Sequence, residues 1–182
     1  VVEKAMGGGG GKGLEASSTQ DLADASCINR GSIYDTFGDK SGLFEAVLQR
    51  YLVDAPSQRL IENAETGEPR EEIEKFFNGL MERPQAPGEC CGCLINNSIV
   101  ELAARDEVLA ARFKAGMAGL ENALFTLISR GQETGDISPW REPRAVARSL
   151  LASAQGLIVL SKVAPGPETL DDIAQTALSL LD

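Results

Sequence analysis

Histidine is absent from the 182-residue chain, which removes the Ser-His-Asp and Cys-His pairs of many hydrolases. The carboxylates are scattered over helix-forming stretches without pairing, as solvated charges usually are. No catalytic constellation and no cofactor is therefore expected. Long apolar runs are missing as well. The oiliest stretch, near Leu157–Leu160, is only a few residues long, against the eighteen or so that a membrane helix needs. The first residues, Val1-Val2-Glu3-Lys4-Ala5-Met6, lack the basic region and apolar stretch of a secretory signal, so a cytoplasmic location without membrane attachment is expected.

Positive charge is scarce. Seventeen Lys and Arg face twenty-seven Asp and Glu, a formal charge of −10, which argues against a surface that coats nucleic acid non-specifically. Residues 1–50 contain only Lys4, Lys12, Arg30, Lys40 and Arg50 as cations. Any contact with DNA must rest on a few well-placed groups, doubled by dimerisation. Cysteine is sparse too, with Cys27 far from Cys90, Cys91 and Cys93. Adjacent half-cystines are awkward to bridge, so the thiols read as reduced. Without histidine, tetrahedral zinc at Cys90-Cys91-Gly92-Cys93 would need carboxylates or a second subunit, and no metal is expected.

What the chain does have is helical periodicity. Ser18-Thr19-Gln20-Asp21 has the form of a capping box opening a helix with Leu22, Ala23 and Ala25. Asn29 is a second N-cap, ahead of Ile33 and Phe37 four residues apart. Gly38-Asp39-Lys40-Ser41 ends that helix and starts the next, with Leu43, Phe44, Val47, Leu48, Tyr51 and Leu52. Beyond these three short helices, Pro56 bends or interrupts the chain and Gly67-Glu68-Pro69 marks a turn. Helices are expected from about 70 to 83, from near Cys93 to Leu102, and over roughly 107–131, 143–163 and 168–181. The apolar faces of the last two are broad: Val146, Leu150, Leu151, Ala154, Leu157, Ile158 and Leu160 on one, Leu170, Ile173, Ala174, Ala177, Leu178 and Leu181 on the other. Burial on two sides, in a homodimer joined through 143–163 and 168–181, is the economical explanation.

The motif lies at residues 13–48. Thr19, Leu22-Ala23, Ala25, Ile28, Gly31-Ser32-Ile33-Tyr34, Phe37, Lys40 and Leu43-Phe44 follow in fixed order, and this stretch resembles the DNA-binding head of the TetR family of bacterial regulators. The resemblance implies an all-α protein: a three-helix head with a helix-turn-helix at 1–48, and a regulatory and dimerisation body at 49–182. It implies a repressor that leaves double-stranded operator DNA on a small-molecule or thiol-reactive signal. A tight joint holds the recognition helix so that its amino-terminal end enters the major groove. The DNA-facing set is then Thr19, Asn29, Arg30, Gly31, Ser32, Tyr34, Asp35, Thr36 and Lys40. Thr19, Tyr34 and Lys40 suit phosphates, while Arg30 and Asp35 suit base edges, guanine and cytosine respectively.

Two departures from the family pattern bear on the head. Cys27 stands where the family has a turn glycine, and a side chain at positive φ costs about 1 kcal/mol. It is either an inert thiol or a redox group. Gly7–Gly11 replaces the apolar and aromatic residues of the first helix, at about 1 kcal/mol per glycine against alanine; read alone, the segment is a flexible linker. The alternative to a regulator is a non-catalytic helical interaction protein without specific DNA binding.

In the body, Phe76, Phe77, Leu80, Met81, Ile99, Phe113, Met117 and Leu120 either wall an apolar effector chamber, with Asn96 and Asn97 orienting the guest, or form ordinary core. Gly92-Cys93-Leu94-Ile95-Asn96 resembles a Gly-Cys-Leu-x-x-Asn element of a family subgroup, some members of which sense electrophiles or oxidants through that cysteine. Helix-start amides favour a thiolate at Cys93, although a buried inert thiol fits equally. The head makes one test immediate. Lys40→Ala should weaken DNA binding almost equally on all sequences and flatten its salt dependence, whereas Arg30→Ala should cost about 1–3 kcal/mol chiefly on the cognate site; titrations of selected and random duplexes at several salt concentrations read both.

Overall fold

The computed structural model describes residues 55–82, 107–163 and 166–182, together with Gly38, Gly42 and Ala46. Every described element is helical: α1 (Pro56–Asn63), α2 (Pro69–Met81), α3 (Glu107–Thr134), α4 (Pro143–Leu160) and α5 (Pro167–Leu178), with 3-10 turns at Ser161–Val163 and Ser179–Leu181. The all-α class expected from periodicity is the one observed. Contacts divide the chain into two compact units, 1–54 with 84–113, and 55–83 with 114–182.

Proline sets where these helices begin. Pro56, Pro69, Pro143 and Pro167 each occupy the first position of a helix, where φ is already suitable and the missing N–H would have had no partner. Pro56 interrupts the chain as its ring demands: Ala55 before it is extended, at φ −71° and ψ 139°. Glu142 caps α4 with its side chain, the carboxylate accepting from the amides of Arg144 at 3.0 Å and Ala145 at 2.6 Å. In the first unit, Gly38 sits at φ 78° and Gly42 and Ala46 are helical, in keeping with a joint at Gly38 followed by a new helix.

The second unit is a bundle around one core. From α3 come Leu120, Ala123, Leu124, Leu127 and Ile128; from α4 Val146, Ala147, Leu150, Ala154 and Leu157; from α5 Leu170, Ala174 and Ala177; from α2 Ile73, Phe76 and Phe77; from α1 Leu60. Each set repeats at three or four residues, which puts it on one helix face. Full burial of a Leu, Ile or Phe side chain contributes about 1.5–3 kcal/mol, so this shared cluster is the principal source of the unit's stability.

Two helix ends fall elsewhere than periodicity alone places them. The 107–131 helix continues to Thr134, because Gly131 lies inside it and does not stop it. A Cβ there would come within 2.6 Å of the Ile137 side chain, so glycine leaves the notch that Ile137, 1% exposed, fills. The stop is Gly135, at φ 81°. The helix expected over 70–83 ends at Met81, and the last turns of 143–163 and 168–181 tighten to 3-10.

Candidate functional site

Of the residues expected to line an effector chamber, Phe76 and Phe77 are 3% and 0% exposed and belong to the core. Their rings meet edge to face, centroids 5.5 Å apart at 82°. Leu80 and Met81, at the end of α2, are half-buried and pack on that core. Phe113 is buried and Met117 half-buried, one turn apart on α3. Cys93, Asn96 and Asn97 lie outside the described residues, as do Cys27, Ile99 and the whole DNA-facing set from Thr19 to Lys40. The structure thus brings Phe76, Phe77, Leu80 and Met81 together on one helix against one core.

Several polar arrangements escape sequence reasoning because their partners are far apart in the chain. Arg70, at the start of α2, donates from its backbone N to Asp136 Oδ2 at 3.0 Å, from Nε to the Asp136 carbonyl at 3.3 Å and from Nη2 to the Leu181 carbonyl at 3.1 Å. Its Nη1 also pairs with Asp182 Oδ1 at 3.1 Å. Arg130 on α3 donates from Nη1 to the carbonyls of Ala64 and Gly67, at 2.8 and 3.0 Å, in the turn joining α1 to α2. Arg144 lies 3.8 Å over the Phe125 ring and donates to Asn122 and Glu121, tying α4 to α3. An open polar cleft of about 430 Å³ is lined by Arg70, Glu74, Asn78, Gln175, Leu178, Ser179 and Asp182. It shares no residue with the expected chamber, and its polar walls are unlike those of an apolar effector site.

Glu72 is the one buried charged residue among those described, 7% exposed. Its Oε2 accepts from Asn63 Nδ2 at 2.8 Å and its Oε1 from Lys75 Nζ at 2.9 Å. Burial pushes its carboxyl up, but the Lys75 and Asn63 bonds and the Lys75 charge outweigh this and hold it below its ordinary value of 4.5. Among the described residues, no group of three or more Cys, Asp or Glu is placed to hold a metal ion. No described helix is long and apolar enough to cross a membrane.

The bundle and the amino-terminal motif both match known families. Residues 67–177 match the model described as "Tetracyclin repressor-like, C-terminal domain", and residues 10–47 that described as "Bacterial regulatory proteins, tetR family". The chain belongs to the TetR family. It is a DNA-binding transcriptional regulator of helix-turn-helix type. It is 30% identical to the uncharacterised HTH-type transcriptional regulator YezE of Bacillus subtilis over 184 residues, covering 100% of this chain and 94% of that protein. Over 173 residues it is 28% identical to the HTH-type transcriptional repressor DhaR of Mycobacterium sp., covering 93% and 84% of the two. Its fold superposes with a TM-score of 0.80 on the TetR-family regulator CifR, a cysteine mutant solved with 26-bp double-strand operator DNA, at 23% identity over 100% of this chain and 95% of that one.

The buried carboxylate of this TetR-family body gives a pH signature. Because the folded carboxyl is held below its unfolded value, its contribution is complete above pH 4.5 and disappears as the pH falls through the lower folded value. Glu72→Gln should lower stability at pH 7 by about 1 kcal/mol, the net worth of a hydrogen bond. The difference from the original chain should vanish in acid; denaturant unfolding at pH 7, 5 and 3 measures it.

Proposed function

We propose that the chain is a homodimeric repressor that leaves its operator when a small molecule or a thiol-reactive signal acts on its body. The observation that carries this reading is the pair of family matches, a tetR-family regulatory-protein model over 10–47 and a tetracyclin-repressor-like C-terminal domain model over 67–177. On this reading 1–48 is the helix-turn-helix domain and contacts DNA through Thr19, Asn29, Arg30, Gly31, Ser32, Tyr34, Asp35, Thr36 and Lys40. Residues 49–182 sense and dimerise. The repressor named DhaR and the operator complex of CifR support it by relationship.

Dimerisation is supported by apolar surface that the single chain leaves open. Val146, Leu150, Ala154 and Leu157 of α4 are used by the chain's own core, but Val159, Leu160 and Val163 are 53%, 38% and 73% exposed. The outer face of α5 is polar, with Glu168, Asp171, Asp172, Gln175 and Thr176 exposed, so of these two helices it is the end of α4, with the 3-10 turn after it, that leaves large apolar side chains open. A partner covering it removes apolar surface from water without disturbing either core. Light scattering should return twice the chain mass for the original protein and a single chain mass for Val159→Glu combined with Val163→Glu, whereas an undiminished dimer in the double variant would exclude this surface.

Effector action is assigned to Phe76, Phe77, Leu80, Met81, Cys93, Asn96, Asn97, Phe113 and Met117. Alkylation of Cys93 attaches a bulky group beside the stretch that the sequence reads as the start of a helix, and packed bodies answer by switching between discrete arrangements. A mild electrophile such as N-ethylmaleimide should weaken binding to a selected operator duplex by roughly tenfold, within the usual range of coupling between sites. Cys93→Ser should abolish that response and Cys27→Gly retain it; an equal loss in Cys93→Ser leaves reversible ligand binding as the inducing event.

A further inference from the structure

Helices α2 and α5 leave between them the open cleft of about 430 Å³. Arg70, Glu74 and Asn78 recur every four residues along the α2 wall, so they stand in one row on that helix. Gln175 and Ser179 form the matching row opposite, beside Leu178. Leu178 is half-buried and packs on the core, which gives an otherwise polar lining one apolar strip. All of these residues belong to the second compact unit, so the cleft is formed within that unit alone.

The polar groups of the cleft are unequally satisfied. Arg70 is its one cation, and its Nε, Nη1 and Nη2 already meet the Asp136 carbonyl, Asp182 Oδ1 and the Leu181 carbonyl. Asp182 is thereby neutralised as well. Glu74 is half-buried, yet no described residue pairs with its carboxylate or donates to it. The Ser179 hydroxyl gives its hydrogen to the Thr176 carbonyl at 2.8 Å, so it has only acceptor capacity left. The side-chain amides of Asn78 and Gln175 have no partner among the described residues and can offer either a carbonyl oxygen or an N–H. The Glu74 charge decides between the two, because a hydrogen bond to an ionised group is about twice as strong as a neutral one.

We propose that this cleft is a binding site for a primary aliphatic amine in its ammonium form. An ammonium group has three N–H donors and no acceptor. It meets the Glu74 carboxylate together with the carbonyl oxygens of Asn78 and Gln175, and its hydrocarbon stem lies against Leu178. An anion would face Glu74 with no free cation in the lining to offset it, and the formal charge of −10 favours the approach of cations. The site shares no residue with the effector chamber assigned above and does not rest on that reading.

Titration of n-butylammonium chloride into the full chain tests this, read by nuclear magnetic resonance at the side-chain amide signals of Asn78 and Gln175, which are identified by their loss in Asn78→Ser and Gln175→Leu. Both signals should shift and saturate, with half-saturation on the order of 1 mM for so small a ligand. Sodium chloride at equal ionic strength, n-butanol and sodium butyrate should each fail to reproduce the shift. Glu74→Gln keeps the shape while removing the charge, and should weaken binding at least about tenfold. Glu168→Gln, on the outer face of α5, should change it by less than about twofold. If Glu74→Gln fails to fold, Gln175→Leu serves, with an expected loss of about threefold read at Asn78. A shift that never saturates or that salt reproduces, binding undiminished in the cleft variant, an equal loss in Glu168→Gln, or tighter binding of butyrate overturns the proposal.

Discussion

The apolar stripe of α3 is the constraint on which the body depends. Leu124, Leu127 and Ile128 are each 0% exposed and share one cluster with residues from all four other described helices. The spacing of that stripe requires a straight, uninterrupted helix over these turns. Gly131 and Gly135 then divide two duties within one turn: the first admits Ile137 against the helix, the second ends it. The chain that follows is held in turn, with Ile137 N donating to the Gly131 carbonyl at 3.0 Å and Ser138 N to the Leu181 carbonyl at 2.9 Å. A side chain at Gly131 would therefore disturb the α3–α4 connection and the grip on the chain's final turn together.

An acidic chain that binds DNA presents an electrostatic question, and the body answers part of it. Arg70, Arg130, Arg141, Arg144 and Arg148 all bond to carbonyls or carboxylates within the fold, and Lys75 is held between Glu71 and Glu72. These cations act as structural ties. Arginine suits that use because its planar fork reaches several acceptors at once, as at Arg70. Residues 1–50 hold only Lys4, Lys12, Arg30, Lys40 and Arg50 as cations, and steering by net charge is unfavourable. Affinity in such a protein has to come from the placement of a few groups and not from a general excess of positive charge.

How much was legible in the sequence follows from the range of each interaction. Periodicity places α2 through α5 to within a few residues because a helix face is written into every third or fourth position. The same pattern singles out Phe76, Phe77, Leu80 and Met81 as inward-facing, but cannot say whether they enclose a guest, since chamber and core need the same side chains. The ties made by Arg70 and Arg130 carry no local signal at all: their partners lie 63 to 112 residues away. Nor do the helix starts follow the usual capping residues, for Ala55, Glu68 and Gly166 make no side-chain cap bond. Proline sets these boundaries, by geometry instead of hydrogen bonding.

The packing of α2 also constrains where an effector can act. Phe77 is wholly enclosed and Phe76 nearly so, and a close-packed interior yields space only by moving a neighbour or emptying a site, at a cost of several kcal/mol for an aromatic. A guest inserted between these rings and the α3 stripe would have to meet that cost from its own contacts. Leu80 and Met81, one turn further on, are half-buried and demand far less. Met81 is moreover unbranched and adapts to irregular surfaces. Resistance to displacement thus falls along α2 from the enclosed aromatic pair to its carboxyl-terminal end, where Gly79 meets Pro56.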